Sequence, residues 1–305
     1  MKKKARIIIS IILAGIGVLC LLAAIILGII LNLEDLHARN TLDDLRASAA
    51  ATPSWEAPAD SIPSGANSSG ASPADSIPSG ANSSGTASAT PTPEPTPVPT
   101  PEPKQNPYQD SFLANSDMAA WLQIPGTIID YPVMWTPRDE EYYLRRGFDG
   151  SSDSNGCLIL DTDSCLDPLT TNLIIHGHNM SSGTMFGTLA NYEREDFYQE
   201  HKTMTLYTPT LQRNYEVIAV FRSQVYKKSD QVFKFYKFFQ ADTQEEFDDF
   251  YNNIKEMSLY DTGVTAQFGD HFLTLSTCSY HVATGRFVVV AKETESGDSY
   301  LPPSP

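Results

Sequence analysis

Basic residues are scarce in this chain. Lys and Arg together number 21 against 37 Asp and Glu, and four of the 21 (Lys2, Lys3, Lys4, Arg6) stand ahead of the first acid. The chain beyond Arg6 carries 17 basic against 37 acidic side chains, which excludes a broad nucleic-acid-binding face, because phosphate neutralisation needs clustered cations. Cysteine is also sparse. Four in 305 residues exclude a disulfide-rich scaffold and a multi-site zinc protein. There is no H-E-x-x-H and no C-x-x-C to signal zinc, no G-x-S-x-G elbow, and no phosphate-binding glycine loop. The nearest approach to a calcium loop is DGSSDSNG at 149–156. With Asp153, Asn155 and Gly156 in its third, fifth and sixth positions, Ser151 and Thr162 fall in the first and twelfth, so the bidentate acid is missing and the segment reads as a turn. No metal and no cofactor is expected.

Long apolar runs are absent except for one. Residues 7–31, IIISIILAGIGVLCLLAAIILGIIL, hold Ser10 as their only clearly polar side chain. A helix of that length spans about 37 Å, enough to cross a hydrocarbon core of about 30 Å. It is too long for the apolar region of a cleavable signal, and its end offers no A-x-A pattern, so it reads as an uncleaved anchor. The cations before it, and Glu34 and Asp35 after it, place residues 1–6 in the cytoplasm and the rest of the chain outside. Cys20 is then a small apolar residue within the anchor.

Residues 32–107 read as an extracytoplasmic, disordered Ser/Pro/Gly-rich stalk. Leu33, Leu36, Leu42 and Leu45 give its first part the spacing of a short juxtamembrane helix. PADSIPSGANSSG then occurs twice, at 58–70 and 73–85, a 15-residue period too poor in apolar residues to build a solenoid. At 91–103, proline at every second residue predicts a stiff extended spacer.

Residues 108–293 form the one globular domain, with a disordered tail expected at 294–305. Segments 127–134, 156–161, 172–177, 203–208, 213–226, 271–277 and 285–292 are rich in β-branched and aromatic residues and read as strands. Two segments read as helices: one near 116–124, and one at 243–260. In the latter Thr243 and Glu246 form a capping box, and Phe247, Phe250, Tyr251 and Ile254 recur at helical spacing. The pattern is mostly β, a barrel or sandwich of seven to eight strands with the second helix inserted before a late strand.

Three residues stand where chemistry is favoured. Cys278 ends the alternating strand of LTLSTC, flanked by Thr277 and Ser279, a setting that presents a thiol at a sheet rim. His178 follows the apolar strand NLIIHG and opens a loop, as suits a proton carrier; His176 and His281 are its rivals. Arg286 opens the strand after Cys278. If the two strands are neighbours, its guanidinium lies at the thiol's end of the sheet, where it lowers a thiol pKa and offers forked donors to an oxyanion. Cys157 and Cys165 lie eight residues apart on the outer side of the membrane, where a disulfide is permitted; they read as two independent thiols, with a bridge between them left open.

Together these segments resemble the class B sortases, cysteine transpeptidases of Gram-positive cell surfaces. TLSTC at 274–278 matches the T-L-x-T-C nucleophile motif, Gly177–His178 the catalytic histidine, and Arg286 the catalytic arginine, in the family's order. NSDMAAWLQIPGTIIDYPVM (115–134) resembles the class B entry, EEYYLRRGFDG (140–150) its Y-Y-L segment, and 243–260 its inserted helix. His176 stands where an aromatic residue is expected before Gly-His, and Cys157, Cys165 and the long stalk depart from the pattern.

The resemblance implies a closed sortase-type barrel with an N-terminal helix and an inserted helix before the cysteine strand. It implies Cys278 as nucleophile, His178 as proton carrier and Arg286 as oxyanion stabiliser. Ser276, Thr277 and Ser279 would bind substrate, with the Ser279 N–H as a further donor. The implied partners are secreted proteins bearing a C-terminal sorting signal, cleaved after Thr, and a peptidoglycan amine that resolves a thioacyl intermediate. The bilayer is engaged through 7–31. Two other functions stay open at this point: a pilus-assembling sortase using a Lys acceptor, and a non-catalytic, stalked surface-binding domain.

Overall fold

The computed structural model describes residues 2–51, 104–294 and 297–300. The repeats at 58–70 and 73–85, and the proline-rich stretch at 91–103, lie outside them. Eight strands close a barrel: β1 (Met118–Gln123), β2 (Asp130–Met134), β3 (Leu158–Leu160), β4 (Asn172–Gly177), β5 (Thr203–Tyr207), β6 (Gln212–Gln224), β7 (Phe272–Cys278) and β8 (Gly285–Glu293). The order around it is β1-β2-β3-β4-β7-β8-β6-β5, and β5 returns to pair with β1. Closure leaves no exposed sheet edge. Most pairs are antiparallel; β2–β3 and β4–β7 are parallel.

Alternation along each strand divides the barrel into an inside and an outside. Leu173, Ile175, Leu273, Leu275, Phe287 and Val289 join the interior core with Tyr131, Val133, Leu158 and Leu206. The opposite face of β7 and β8 carries Phe272, Val288 and Val290, and a helix covers it (numbered α4 in chain order, Gln244–Met257). Phe247, Phe250 and Ile254 of that helix are buried there, with the Phe247 ring 5.4 Å from Phe272. Its N-terminus shows the expected capping box: the Thr243 side chain accepts from the Glu246 N–H, and the Glu246 carboxylate accepts from the Thr243 N–H.

Three segments depart from expectation. The helix expected over 116–124 is strand β1; a short helix (α2, Gln109–Ala114) precedes it. Trp121 decides the geometry. It packs outward against Tyr108, with ring centroids 4.3 Å apart, while Ala120 and Leu122 face the interior. A segment buried on both faces loses the one-sided pattern that tells strand from helix. The first helix (α1, Lys2–Ala51) continues well past the apolar run, and its last turns pack on the barrel. There Leu42 and Leu45 join the cores, and both Arg46 Nε and Nη2 donate to the Asp130 carbonyl, at 3.1 and 2.7 Å. The described part of the tail is ordered by pairing: Ser299 bridges Leu211, and Tyr300 is buried beside Tyr207 and donates to Gln212. Among the described tail residues, Tyr300 supplies the buried apolar ring. A further short helix (α3, Glu195–Glu200) leads into β5.

Among the described residues one helix, Leu19–Ala50, is long and apolar enough to cross a membrane, with a mean hydropathy of 2.2 over its qualifying window.

Candidate active site

The parallel β4–β7 pair and the antiparallel β7–β8 pair fix the site. Gly177 is in register with Thr277, so His178 leaves β4 beside the end of β7 where Cys278 stands. Cys278 and Arg286 are direct partners across β7 and β8. Even-numbered positions of these strands face outward, so His176, His178, Ser276, Cys278 and Arg286 share one surface, the outer face of the barrel. They line a cavity of about 420 Å³ whose far wall is Glu140, Glu141 and Leu144, with Cys157 and Ile159 from the β3 side.

Hydrogen bonds hold this arrangement. Thr277 Oγ1 donates to the Gly177 carbonyl at 2.8 Å, and Asn179 Nδ2 donates to the Cys278 carbonyl at 2.8 Å, tying the histidine loop to the cysteine strand from both sides. His178 Nε2 lies 2.8 Å from the Leu144 carbonyl. A carbonyl only accepts, so Nε2 carries a proton, and Nδ1 is the nitrogen left to gain and lose one. Leu144 belongs to a 3₁₀ turn, Tyr142–Arg145, anchored by Tyr143. The Tyr143 hydroxyl accepts from Asn115 and donates to Asp117, and burial pushes its pKa up to about 12. Arg286 Nη1 donates to the Gly285 carbonyl at 3.0 Å and to the Thr284 carbonyl at 3.5 Å, which leaves Nε and Nη2 uncommitted among the described residues.

The sortase domain family matches residues 122–294, more than half of the chain. The chain belongs to the sortase family. It is 31% identical over 184 residues to sortase B of Listeria monocytogenes, covering 58% of this chain and 70% of that protein. It is 29% identical over 188 residues to sortase B of Staphylococcus aureus, again over 58% and 70%. Among solved structures, the S. aureus sortase B–substrate complex superposes with a TM-score of 0.56 at 26% identity, over 64% of this chain and 87% of that one. Sortase B of Clostridium perfringens gives 0.55 at 26%, over 61% and 99%. The protein is a class B sortase, a cysteine transpeptidase.

Within this sortase the rival histidines separate. His281 sits in the exposed β7–β8 loop, its Nδ1 2.8 Å from Ser279 Oγ, and does not line the cavity. His176 does, but its Nε2 is paired with Asp161 at 3.0 Å. Ser276 and Thr277 line the cavity as expected; Ser279 does not. The Ser279 N–H is committed to the Gly285 carbonyl at 2.9 Å, closing the β7–β8 turn, and cannot serve an oxyanion without breaking that bond. Cys157 and Cys165 are both free; burial raises the Cys157 thiol pKa far above its ordinary value. In the 149–156 loop, Asp153 accepts from the Asn155 N–H and side chain. Asp149 is lowered to about 2 by hydrogen bonds, chiefly from Ser151.

Sequence reasoning missed the cavity's far wall. Glu140, Glu141 and Leu144 lie more than 130 residues before Cys278, and the Leu144 contribution is a backbone carbonyl, which no side-chain pattern announces. Glu140 carries a raised pKa, from burial first and the Asp161 charge second.

Proposed function

We infer that this sortase is a membrane-anchored enzyme that cleaves a C-terminal sorting signal after Thr and joins the protein to a peptidoglycan amine on a Gram-positive surface. The observation that supports this most is the meeting of Cys278, His178 and Arg286 in one cavity on the outer barrel face.

The Cys278 thiolate attacks the Thr carbonyl carbon, and the carbonyl electron pair moves onto oxygen. Arg286, across the β7–β8 pair, turns its uncommitted guanidinium donors to that oxygen. On collapse the Thr C–N bond breaks, the departing amine takes a proton from His178 Nδ1, and the acyl group stays on sulfur as a thioester. An incoming peptidoglycan amine then attacks the thioester carbonyl, gives a proton back to His178, and expels the Cys278 thiolate. The Leu144 carbonyl keeps the imidazole oriented through both half-reactions. Ser276 and Thr277 contact the peptide. α1 is the anchor, and Lys2, Lys3, Lys4 and Arg6 hold the N-terminus in the cytoplasm.

The test is incubation of the full chain in detergent with a panel of sorting-signal peptides, read by intact-mass spectrometry. A peptide-length mass increase on Cys278, released by an added amine and absent in Cys278→Ala, is the expected result. Wild-type cleavage by Cys278→Ala would sink the nucleophile assignment.

A further inference from the structure

Beside the catalytic residues stands a second cluster with no part in the transfer chemistry, and two of its members, Glu140 and His176, line the same cavity. Glu140 comes from the turn before Tyr142–Arg145, Asp161 from the end of β3, and His176 from β4; their ligand atoms all lie within 4.8 Å of one another. Asp161 Oδ2 and His176 Nε2 are 3.0 Å apart, close to the roughly 3.3 Å edge of a tetrahedron with metal–ligand bonds of about 2.0 Å. Three different chain segments hold the three side chains, so their convergence is set by the barrel. The Asp161 N–H is fixed to the Ile174 carbonyl at 2.9 Å, and His176 is in register with Ile159 and with Ser276.

The neighbouring Ser276 supplies an independent sign. It is 2% exposed, lines the cavity, and its Oγ has no hydrogen-bond partner among the described residues. A buried hydroxyl without a partner is costly, and a water held on an adjacent cation is the kind of group that satisfies it.

We propose that Glu140, Asp161 and His176 bind a divalent transition metal of the zinc class, and that the bound ion closes one end of the catalytic groove to the peptide. One imidazole and two carboxylates form a hard-to-borderline donor set carrying two negative charges, suited to Zn²⁺ rather than to Ca²⁺, which takes six to eight oxygens. The fourth position is left for water, on the side of Ser276. Binding replaces the Asp161–His176 hydrogen bond with two metal bonds and needs a neutral imidazole. The ion does no chemistry on the scissile bond. Its effect is occupancy, because His176 and Ser276 precede His178 and Cys278 by two residues on the same face of adjacent strands.

Zinc binding to the full chain in detergent is measured by calorimetry in a Cys278→Ala background, which removes the nucleophilic thiol as a ligand. One zinc per chain is expected, weakened at least tenfold by Glu140→Gln and by His176→Gln. Glu140 accepts one side-chain hydrogen bond, from Thr162 Oγ1 at 3.5 Å, which glutamine still accepts, and glutamine at 176 still donates to Asp161. Equal affinity in the parent and both variants, or no binding in the parent, overturns the site. The second measurement is peptide cleavage with Cys278 present, each variant referred to its own zinc-free rate. Zinc is expected to inhibit competitively with peptide, and the inhibitory concentration to rise at least tenfold in both variants. Undiminished inhibition in both would place zinc on the catalytic thiol and overturn the blocking role. The calorimetric result stands apart from the transpeptidase mechanism and separates a failure of this site from a failure of that reading.

Discussion

Cys278 and Arg286 are cross-strand partners at the open end of the β7–β8 pair, one closing its strand and the other opening the next. Eight residues of sequence separate them, and a turn stapled by the Ser279 N–H to the Gly285 carbonyl returns the chain so that they face one cavity. The pairing places the two side chains next to each other on the outer face, and β4 and β6 hold the hairpin from either side.

Arg286→Lys is therefore expected to be nearly as inactive as Arg286→Ala. Had Arg286 only to lower the thiol pKa, a lysine charge would suffice. An oxyanion grip needs a planar fork held in place, and losing one such donor costs about 10²–10³ in turnover. Peptide cleavage by both variants, with the pH dependence of Cys278 alkylation, checks this. A lysine variant with substantial turnover would leave Arg286 a purely electrostatic neighbour.

His178→Ala is expected to lose far more cleavage activity than His176→Ala or His281→Ala when all three are assayed with one peptide, one amine and no added metal. His281 is tied to Ser279 outside the cavity, and His176 is paired with Asp161. A dead His281 variant would move the proton carrier into the β7–β8 loop.

Most of this site was legible because its chemistry is carried by side chains at strand ends. Cys278 and His178 each stand out as an abrupt polar residue after an apolar run, and Arg286 as one directly before such a run. The barrel was legible through β-branched alternation, and α4 through its capping box and Phe247–Phe250–Ile254 spacing. β1 was not, because Ala120, Trp121 and Leu122 are buried on both faces of the strand and erase its period. The bond from the Ser279 N–H to the Gly285 carbonyl was not legible, because turn hydrogen bonds depend on how the chain returns. The Glu140–Asp161–His176 cluster was invisible for another reason: metal-ligand spacings such as H-E-x-x-H describe one helix or loop, and these three residues meet through the β3–β4 pairing and the separate turn that carries Glu140.

Calcium added to chelator-treated enzyme is expected to leave peptide turnover unchanged. The acids of the 149–156 loop already serve the protein: Asp149 accepts from the Ser151 N–H and lies 3.1 Å from His37, while Asp153 is buried and caps Asn155. A tenfold rise in turnover would show that the loop rearranges around the ion.

The orientation of His178 is expected to depend on Gly156, a residue that touches neither substrate nor thiol. Gly156 has φ +62°, and a Cβ there would press on the Leu144 carbonyl group, the group that fixes His178 Nε2. Because the contact is backbone against backbone, Gly156→Ala has to move the Leu144 carbonyl rather than a flexible side chain. A displacement of about 1 Å at a positioning group costs up to about 10² in rate, so a loss of roughly tenfold to a hundredfold in turnover is expected. Gly150→Ala is the control. That glycine also has positive φ, at +78°, but its Cβ would meet only the Tyr142 hydroxyl at 3.7 Å, so the variant shares the backbone strain without the push on Leu144. Turnover and thermal melting are measured on both. Comparable destabilisation with a turnover loss confined to Gly156→Ala supports the Leu144 carbonyl as the group that sets the imidazole. Equal turnover in the two variants would mean that His178 is held by the β4 end and its loop alone.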